Sequence, residues 1–142
     1  MRLFIDTNVL IDFIGERAGY YLQAATLFSL AVDHTCEIVV SSLSMVTANY
    51  ICCERGCMSL SVWNQKVNTL GDFIQVCSVD SDDIFSACNA GWEDYEDCVQ
   101  FHAAKRCGCD MIVTRNVNDF KHSDIIVLTP GKAIEKVLGA NC

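Results

Sequence analysis

The chain has 142 residues, 51% of them hydrophobic and 20% charged, a composition typical of a globular protein with a core and unlike that of a disordered segment. The formal charge of −8 argues against a protein that coats nucleic acid by bulk electrostatics, but it is compatible with a nucleic-acid substrate bound through bridging metal ions and with a basic protein partner. No apolar run approaches the roughly 20 residues that span a bilayer, and no basic stretch leads into an apolar N-terminal segment. We therefore expect one domain over residues 1–142, cytoplasmic and without a membrane partner.

The ten cysteines raise the question of disulfides or a zinc site. Only Cys53-x3-Cys57 and Cys107-Gly-Cys109 are locally paired, and neither has the spacing of a common zinc knuckle. Most of the others fall in apolar-periodic segments, where a reduced thiol behaves as a small hydrophobe. The pattern predicts free cysteines in a reducing compartment.

The hydrophobic pattern predicts strands that alternate with helices. The chain opens with an apolar strand over Met1–Ile5 and continues into a short helix that begins near Val9 and closes over Asp12–Arg17. The other predicted strands are Cys36–Val40, Phe73–Val76, Asp110–Val113 and Asp124–Leu128. The other predicted helices are Tyr20–Asp33, Leu43–Glu54, Ser59–Leu70, Ser81 or Asp82 to Ala90, Asp94–Arg106 and Pro130–Leu138.

Apolar residues at helical spacing predict which helix faces are buried. In the helix over 20–33 these residues are Leu22, Ala25, Leu27, Phe28, Leu30 and Ala31, and in the helix over 43–54 they are Leu43, Val46, Tyr50 and Ile51. Ser42 or Ser44 is expected to cap the latter helix. Strands alternating with helices imply parallel pairing and right-handed crossovers. We therefore expect a three-layer α/β/α sandwich with a central, mostly parallel sheet of about five strands.

Three acidic or polar segments fall at places that such a fold brings together. Asp6 lies between the first strand and its helix, where a carboxylate caps the helix or, at the carboxyl end of a parallel strand, binds a ligand. Glu93–Asp97 opens a later helix with four acids, which exceeds what capping and the helix dipole need. Asp94 and Asp97 are three residues apart and share a helical face. Thr114–Asp119 follows the fourth strand, either as a polar loop or as part of the same site.

Clustered carboxylates repel one another by about 1 kcal/mol per pair at ~4 Å in water and by more in a cleft. A protein stabilises such a cluster by raising a pKa or by binding a hard divalent cation. Mg²⁺ or Mn²⁺ held by carboxylates is the usual arrangement for phosphoryl chemistry, where the metal activates water and neutralises the phosphate. The three histidines lack metal-type spacing, and no serine or cysteine triad is evident.

Three stretches of the sequence carry a family resemblance: Phe4-Ile5-Asp6-Thr7-Asn8-Val9-Leu10, then Glu96-Asp97 before an alanine-bearing helix, then Ile112-Val113-Thr114-Arg115-Asn116 with Asp119-Phe120. In these stretches the chain resembles the PIN domain family, over nearly its whole length, and its small size is similar to that of VapC-type toxins of bacterial toxin–antitoxin pairs. The resemblance implies a parallel sheet flanked by helices and an Mg²⁺- or Mn²⁺-dependent endoribonuclease that cleaves RNA. It also implies an antitoxin as a partner.

Residue by residue, the resemblance assigns the first-strand acid to Asp6, the acid of the late helix to Asp97 and the hydroxyl after the fourth strand to Thr114. We expect one or two metals held by Asp6, Asp97 and Asp119, with help from Asp94 and Asn116. The residues expected to orient waters or carboxylates behind them are Asn8, Thr114 and Asn49, and those expected to meet the RNA backbone are Arg115 and Lys121.

The sequence departs from the family pattern at two positions. The helix after the second strand usually carries a glutamate, and Asn49 stands about where it would fall. Asn116 stands where the family often has an aspartate, and Asp119 is the nearest substitute. Amides ligate metals through oxygen but bring no charge, so metal affinity is expected to fall unless Asp94 and Glu96 restore it.

Two other functions follow from these departures and from Asp6. The first is a PIN-fold module that binds RNA or protein without efficient catalysis. The second is a phosphatase that uses Asp6 as nucleophile, which the sequence supports less because no lysine or second acid adjoins Asp6. Apolar helices in the first half of the chain would also suit a homodimer or an antitoxin groove.

Overall fold

The computed structural model describes all residues, 1–142, as a five-stranded sheet with helices on both sides. The strands are β1 (Arg2–Ile5), β2 (Glu37–Ser41), β3 (Ile74–Cys77), β4 (Met111–Val113) and β5 (Ile126–Leu128). The α-helices are α1 (Thr7–Ile14), α2 (Tyr21–Val32), α3 (Ser42–Asn49), α4 (Leu60–Leu70), α5 (Ser81–Ala90), α6 (Tyr95–Arg106) and α7 (Pro130–Ala140). A π-helix over Tyr50–Glu54 continues α3, and a 3₁₀ turn over Val117–Phe120 follows β4.

The sheet has the order β3-β2-β1-β4-β5, and every neighbouring pair is parallel. The first strand in the sequence is therefore the central one. The chain builds outward on one side of β1 and then returns to build on the other. The switch lies between β1 and β4, which pair with Ile5 opposite Val113. In open parallel sheets, this is where side chains from two crossovers meet.

Both faces of the central strand are buried, because successive side chains point to opposite sides of the sheet. Leu3 and Ile5 pack in the larger core, with buried side chains of α1, α2, α4 and α7. Phe4 packs in the smaller core with Phe101 of α6 and Phe120. Helices therefore cover both faces, which confirms the predicted three-layer α/β/α sandwich. No helix combines the length and the apolar character that crossing a bilayer requires.

The predicted elements are all present, with boundaries that shift by a few residues. α1 begins earlier than predicted, at Thr7, because the Asp6 side chain accepts the Thr7 N–H as an N-cap. Ser41 caps α3, in place of the predicted Ser42 or Ser44. The first β4 and β5 residues, Met111 and Ile126, lie inside the predicted strands because the polar ends of those segments form turns.

The predicted buried faces of α2 and α3 are partly wrong. Leu22 is 79% exposed and Val46 is 71% exposed, and Tyr50 also faces outward. The inward residues of α3 are the small side chains of Ser44 and Ala48. Small residues allow α3 to approach α1 closely, and Val46 and Tyr50 are left on the outer surface.

All ten cysteines are free. The buried ones are Cys36, Cys52, Cys77, Cys98 and Cys109. Burial raises the pKa of the Cys77 thiol to about 12 and that of Cys109 to about 11, so these thiols stay protonated at neutral pH.

Candidate metal centre

The candidate site lies where β1 and β4 end side by side. Asp6 follows β1 directly, and its N–H donates to the Val113 carbonyl at 2.9 Å, which extends the pairing of the two strands by one residue. Thr114 follows β4 and is fully buried. The sheet register therefore places the Asp6 carboxylate beside the Thr114 hydroxyl, although the two residues are 108 positions apart in the sequence.

Three donors fix the Asp6 carboxylate. The Thr114 hydroxyl donates to Oδ2 at 2.7 Å, the Asn8 amide donates to the same oxygen at 3.2 Å, and the Thr7 N–H donates to Oδ1 at 2.8 Å. Asn8 also ties the two strand ends together, because its Oδ1 accepts the N–H of Arg115 at 3.2 Å. Asn8 and Thr114 thus lie in the supporting positions expected from the sequence.

The first turn of α6 supplies the other acids. Asp94 caps this helix, and its carboxylate accepts the Asp97 N–H at 3.0 Å. The cap fixes the helix start so that Asp97 is only 7% exposed and faces Asp6, while Glu96 is exposed. One carboxylate oxygen from each of Asp6, Glu96 and Asp97 lies within 4.8 Å of the others.

The cluster is electrostatically strained without a cation. Burial raises the pKa of Asp6 to about 6, and the charges of Glu96 and Asp119 act in the same direction. Burial also raises the pKa of Asp97 to about 8, together with the charges of Asp6, Asp94 and Glu96 and a hydrogen bond to Glu96. Both carboxyl groups resist ionisation because each meets other acids in a poorly hydrated place.

We expect the metal-free protein to lose stability as pH rises. A carboxyl group with a higher pKa in the folded chain binds more protons when folded, so the free energy of unfolding falls between the unfolded and folded pKa values. That interval runs from 3.8 to about 6 for Asp6 and from 3.8 to about 8 for Asp97. For each pH unit inside its interval, one such group lowers the free energy of unfolding by about 1.4 kcal/mol. Urea unfolding in chelator across this range should show a decline that Asp6→Asn reduces, whereas a slope unchanged by that substitution would contradict the assignment.

The remaining predicted ligands lie near the cluster but outside it. Asp119 is exposed in the 3₁₀ turn, close enough that its charge raises the pKa of Asp6. Asp94 and Asp119 both line a small cavity of about 240 Å³ beside the cluster. Asn116 is exposed, and its N–H donates to the Thr114 hydroxyl at 3.1 Å.

Asn49 contributes no contact to the acids in this arrangement. Its side-chain amide donates to Cys53 Sγ, at 3.7 Å, within its own helical segment. The α3 residue that reaches toward the site is Ser44, whose hydroxyl lies 2.8 Å from that of Thr7.

The two predicted RNA-contacting cations are engaged in ion pairs. Arg115 donates through Nε to the buried carboxylate of Asp12 at 2.7 Å, and its guanidinium lies 4.1 Å from the ring centre of Tyr20. Lys121 is exposed and lies 3.4 Å from Glu93. Arg115 is therefore the counterion of a buried acid, a role that the sequence analysis did not foresee.

Glu96 and Gln100 were not among the predicted site residues. Glu96 had been considered only as a source of extra charge, yet it lies within the cluster. Gln100 is fully buried one turn further along α6 and donates to Glu96 at 3.2 Å. The i, i+4 spacing of Glu96 and Gln100 was the available signal, since such residues share a helical face.

A parallel, doubly wound sheet with a carboxylate cluster at its switch point defines a class of α/β proteins that bind a ligand or metal at this edge. The family model described as PIN domain matches residues 2–118, and the chain belongs to the PIN domain family. No curated protein sequence matches the chain.

Several solved structures share the fold. A chain of VapBC2 from Rickettsia felis, bound to a DNA fragment from its promoter, superposes with a TM-score of 0.64 at 17% identity, covering 90% of this chain and 97% of that one. FitAcB from Neisseria gonorrhoeae superposes with a TM-score of 0.62 at 20% identity, covering 91% of this chain and 98% of that one. VapC20 from Mycobacterium tuberculosis is described as a sarcin-ricin loop cleaving toxin. It superposes with a TM-score of 0.60 at 14% identity, covering 78% of this chain and 86% of that one. At these identities the similarity establishes the fold.

Proposed function

We propose that this protein is a divalent-metal-dependent endoribonuclease of the toxin type found in toxin–antitoxin pairs. The observation that carries the proposal is the convergence of Asp6, Glu96 and Asp97 within 4.8 Å at the carboxyl edge of the sheet. The membership of the PIN domain family supports it, as does the similarity of the fold to VapC20, which is described as a sarcin-ricin loop cleaving toxin.

The donor set fits Mg²⁺ or Mn²⁺. These ions prefer oxygen ligands, and one or two carboxylates with several waters suffice to hold them. Burial and the neighbouring acids raise the pKa values of Asp6 and Asp97, and no cationic side chain offsets the charge of the cluster. Asp6, Glu96 and Asp97 would hold the ion, with Asp94, Asp119 and Asn116 at the mouth of the site. When bound, the ion supplies activated water and neutralises a phosphodiester.

The chain's own groups prepare this site before any ligand arrives. The Thr114 and Asn8 side chains hold the Asp6 carboxylate in one orientation, which leaves less rearrangement for the binding step. The Asp94 cap holds the first turn of α6 and therefore the position of Asp97. Lys121 is an exposed cation that lines the same cavity as Asp94 and Asp119, and its exposed ion pair with Glu93 is weak enough to exchange for a backbone phosphate.

RNA is proposed as the substrate because the family resemblance implies it and because one solved relative is named for cleaving the sarcin-ricin loop. The formal charge of −8 gives the protein as a whole a net repulsion for phosphate. Binding should therefore depend on the cation more than on basic side chains.

A cleavage assay tests the proposal. We expect wild-type protein to cleave a single-stranded or hairpin RNA in Mn²⁺ and to lose this activity in chelator. Asp6→Asn keeps the shape and the helix cap but removes the charge, so it should leave no activity above background. Equal cleavage by wild type and Asp6→Asn would mean that a contaminant cleaves the RNA, and it would refute the proposed function.

A second function, binding RNA or a protein without efficient catalysis, is favoured by one observation. α3 contributes no carboxylate to the cluster because it contains no acidic residue; Asn49 bonds to Cys53, and the α3 hydroxyl that reaches the site is that of Ser44. Tight RNA binding by a wild-type protein that shows no Mn²⁺-dependent cleavage would support this function.

We propose that an antitoxin or a second copy of the chain covers the apolar surface of the first half. Leu22, Val46 and Tyr50 are exposed there, and large exposed apolar side chains mark interaction surfaces when they are contiguous. One solved structure of the same fold, from Klebsiella pneumoniae, is described as a toxin–antitoxin complex. The acidic chain favours a basic antitoxin.

A further inference from the structure

Gln100 is the one fully buried amide of α6, and it contacts three different elements. Its Nε2 lies 2.6 Å from the Ser44 hydroxyl of α3, 3.1 Å from the Thr7 hydroxyl of α1 and 3.2 Å from the Glu96 carboxylate. Its Oε1 is buried without a hydrogen-bond partner. Buried polar atoms are nearly always paired, so this unpaired oxygen calls for an explanation.

The charge of Glu96 explains the orientation of the amide. The hydroxyls of Ser44 and Thr7 either donate or accept, so they are compatible with the nitrogen or the oxygen of Gln100. An ionised Glu96 carboxylate only accepts hydrogen bonds, so only the amide nitrogen of Gln100 can donate one to it. The amide thus points its donors at the carboxylate and leaves its own oxygen unpaired.

The partners behind the amide are themselves fixed. Ser41, which caps α3, donates its hydroxyl to Ser44 at 3.1 Å, and the Ser44 hydroxyl lies 2.8 Å from that of Thr7. This chain of hydroxyls begins at the end of β2 and reaches the first residue of α1, beside Asp6. It occupies the side of the site to which α3 contributes no acid.

We propose that Gln100 is a positioning residue that holds Glu96 as the third carboxylate of the metal centre, in compensation for the acid missing from α3. Glu96 is exposed, and a free glutamate at that position would sample many rotamers. The hydrogen bond from a buried, anchored amide restricts the carboxylate to the geometry that faces Asp6 and Asp97. The inference rests on the proposed metal site and adds a residue that does not itself touch the ion.

The test measures Mn²⁺ affinity by calorimetry at neutral pH. Gln100→Met retains the length and burial of the side chain and removes the donor. We expect the dissociation constant to rise at least about tenfold, the lower range for residues that orient metal ligands. Gln65→Met, the same substitution on the exposed surface of α4, is the matched control and should bind as wild type does. Circular dichroism and thermal unfolding in chelator check that both variants fold.

A double-mutant cycle separates positioning from a general structural effect. If Gln100 acts through Glu96, Gln100→Met should cause no further loss of affinity in a Glu96→Gln background. An equal loss in both backgrounds, or wild-type affinity in Gln100→Met, would overturn the inference while leaving the metal site in place. A wild-type protein that binds no Mn²⁺ would overturn the proposed function together with this inference.

Discussion

Asp97→Asn is expected to lose Mn²⁺ binding and RNA cleavage while gaining stability in the absence of metal. The Asp97 carboxyl is buried against Asp6 and Glu96, and its pKa is raised to about 8. Asparagine removes the repulsion with its neighbours, each worth about 1 kcal/mol or more at close range. The loss of a ligand charge should reduce cleavage at least about 100-fold, since even residues that only orient a ligand affect affinity or activity 10- to 100-fold.

The opposite signs of these two effects distinguish a functional acid from a structural one. Replacing a residue that is kept for stability destabilises the protein. A binding-site residue often destabilises the unliganded fold, so replacing it stabilises the protein without its ligand. Urea unfolding in chelator at about pH 8 should show Asp97→Asn more stable than wild type by about 1 kcal/mol.

Asp82→Asn is the matched control for this experiment. It removes the same charge from an exposed position in the first turn of α5, and Asp80 still caps that helix. We expect it to change Mn²⁺ affinity less than about tenfold, because solvent screens exposed charges. Destabilisation by Asp97→Asn with retained cleavage would show that Asp97 serves the fold alone.

Arg115→Met is expected to destabilise the protein by about 3 kcal/mol, since it leaves the Asp12 carboxylate buried without its main counterion. Arg115 bonds to both oxygens of Asp12, at 2.7 and 3.3 Å, and the Asp12 side chain is almost completely buried. Arg17 lies 3.8 Å from the same carboxylate and replaces the lost pair only in part. Guanidinium unfolding measures the effect.

Two further variants test the cause of this loss. Lys121→Met removes an equal charge from an exposed pair and should change the free energy of unfolding by less than about 0.5 kcal/mol. Asp12→Leu combined with Arg115→Met removes both charges and should recover most of the stability. Unchanged stability of Arg115→Met together with weaker RNA binding would instead favour the RNA-contacting role predicted from the sequence.

Several features of the fold could be predicted from local patterns. Met1–Ile5 and Cys36–Val40 were predicted as strands because short apolar, β-branched runs suit a buried sheet, and the structure confirms both within one residue. A helix was predicted to end at Ala90, and it does, with Gly91 following in a left-handed conformation at φ of 72°. The last helix was predicted to begin at Pro130, and Pro130 is its first residue, behind the Thr129 cap.

Helical faces were harder to predict when one helix packs on more than one neighbour. Val46 and Tyr50 have the spacing of a buried stripe, yet the face of α3 that packs inward carries Ser44 and Ala48. Periodicity identifies residues that share a face but does not say which face meets the core. That choice depends on how closely α1 and α6 approach, which only the assembled layers define.

The sequence by itself determined the alternation of strands and helices, the PIN-type motifs and the segments that carry Asp6 and Asp97, because these depend on neighbours within a few residues. The tertiary structure alone decided that Glu96 meets Asp6, that Gln100 reaches Thr7 and Ser44 and that Arg115 neutralises Asp12. Those contacts join elements that are remote along the chain, and their distances follow from sheet register and helix packing. A sequence pattern with a period of two or 3.6 residues contains no measure of such distances.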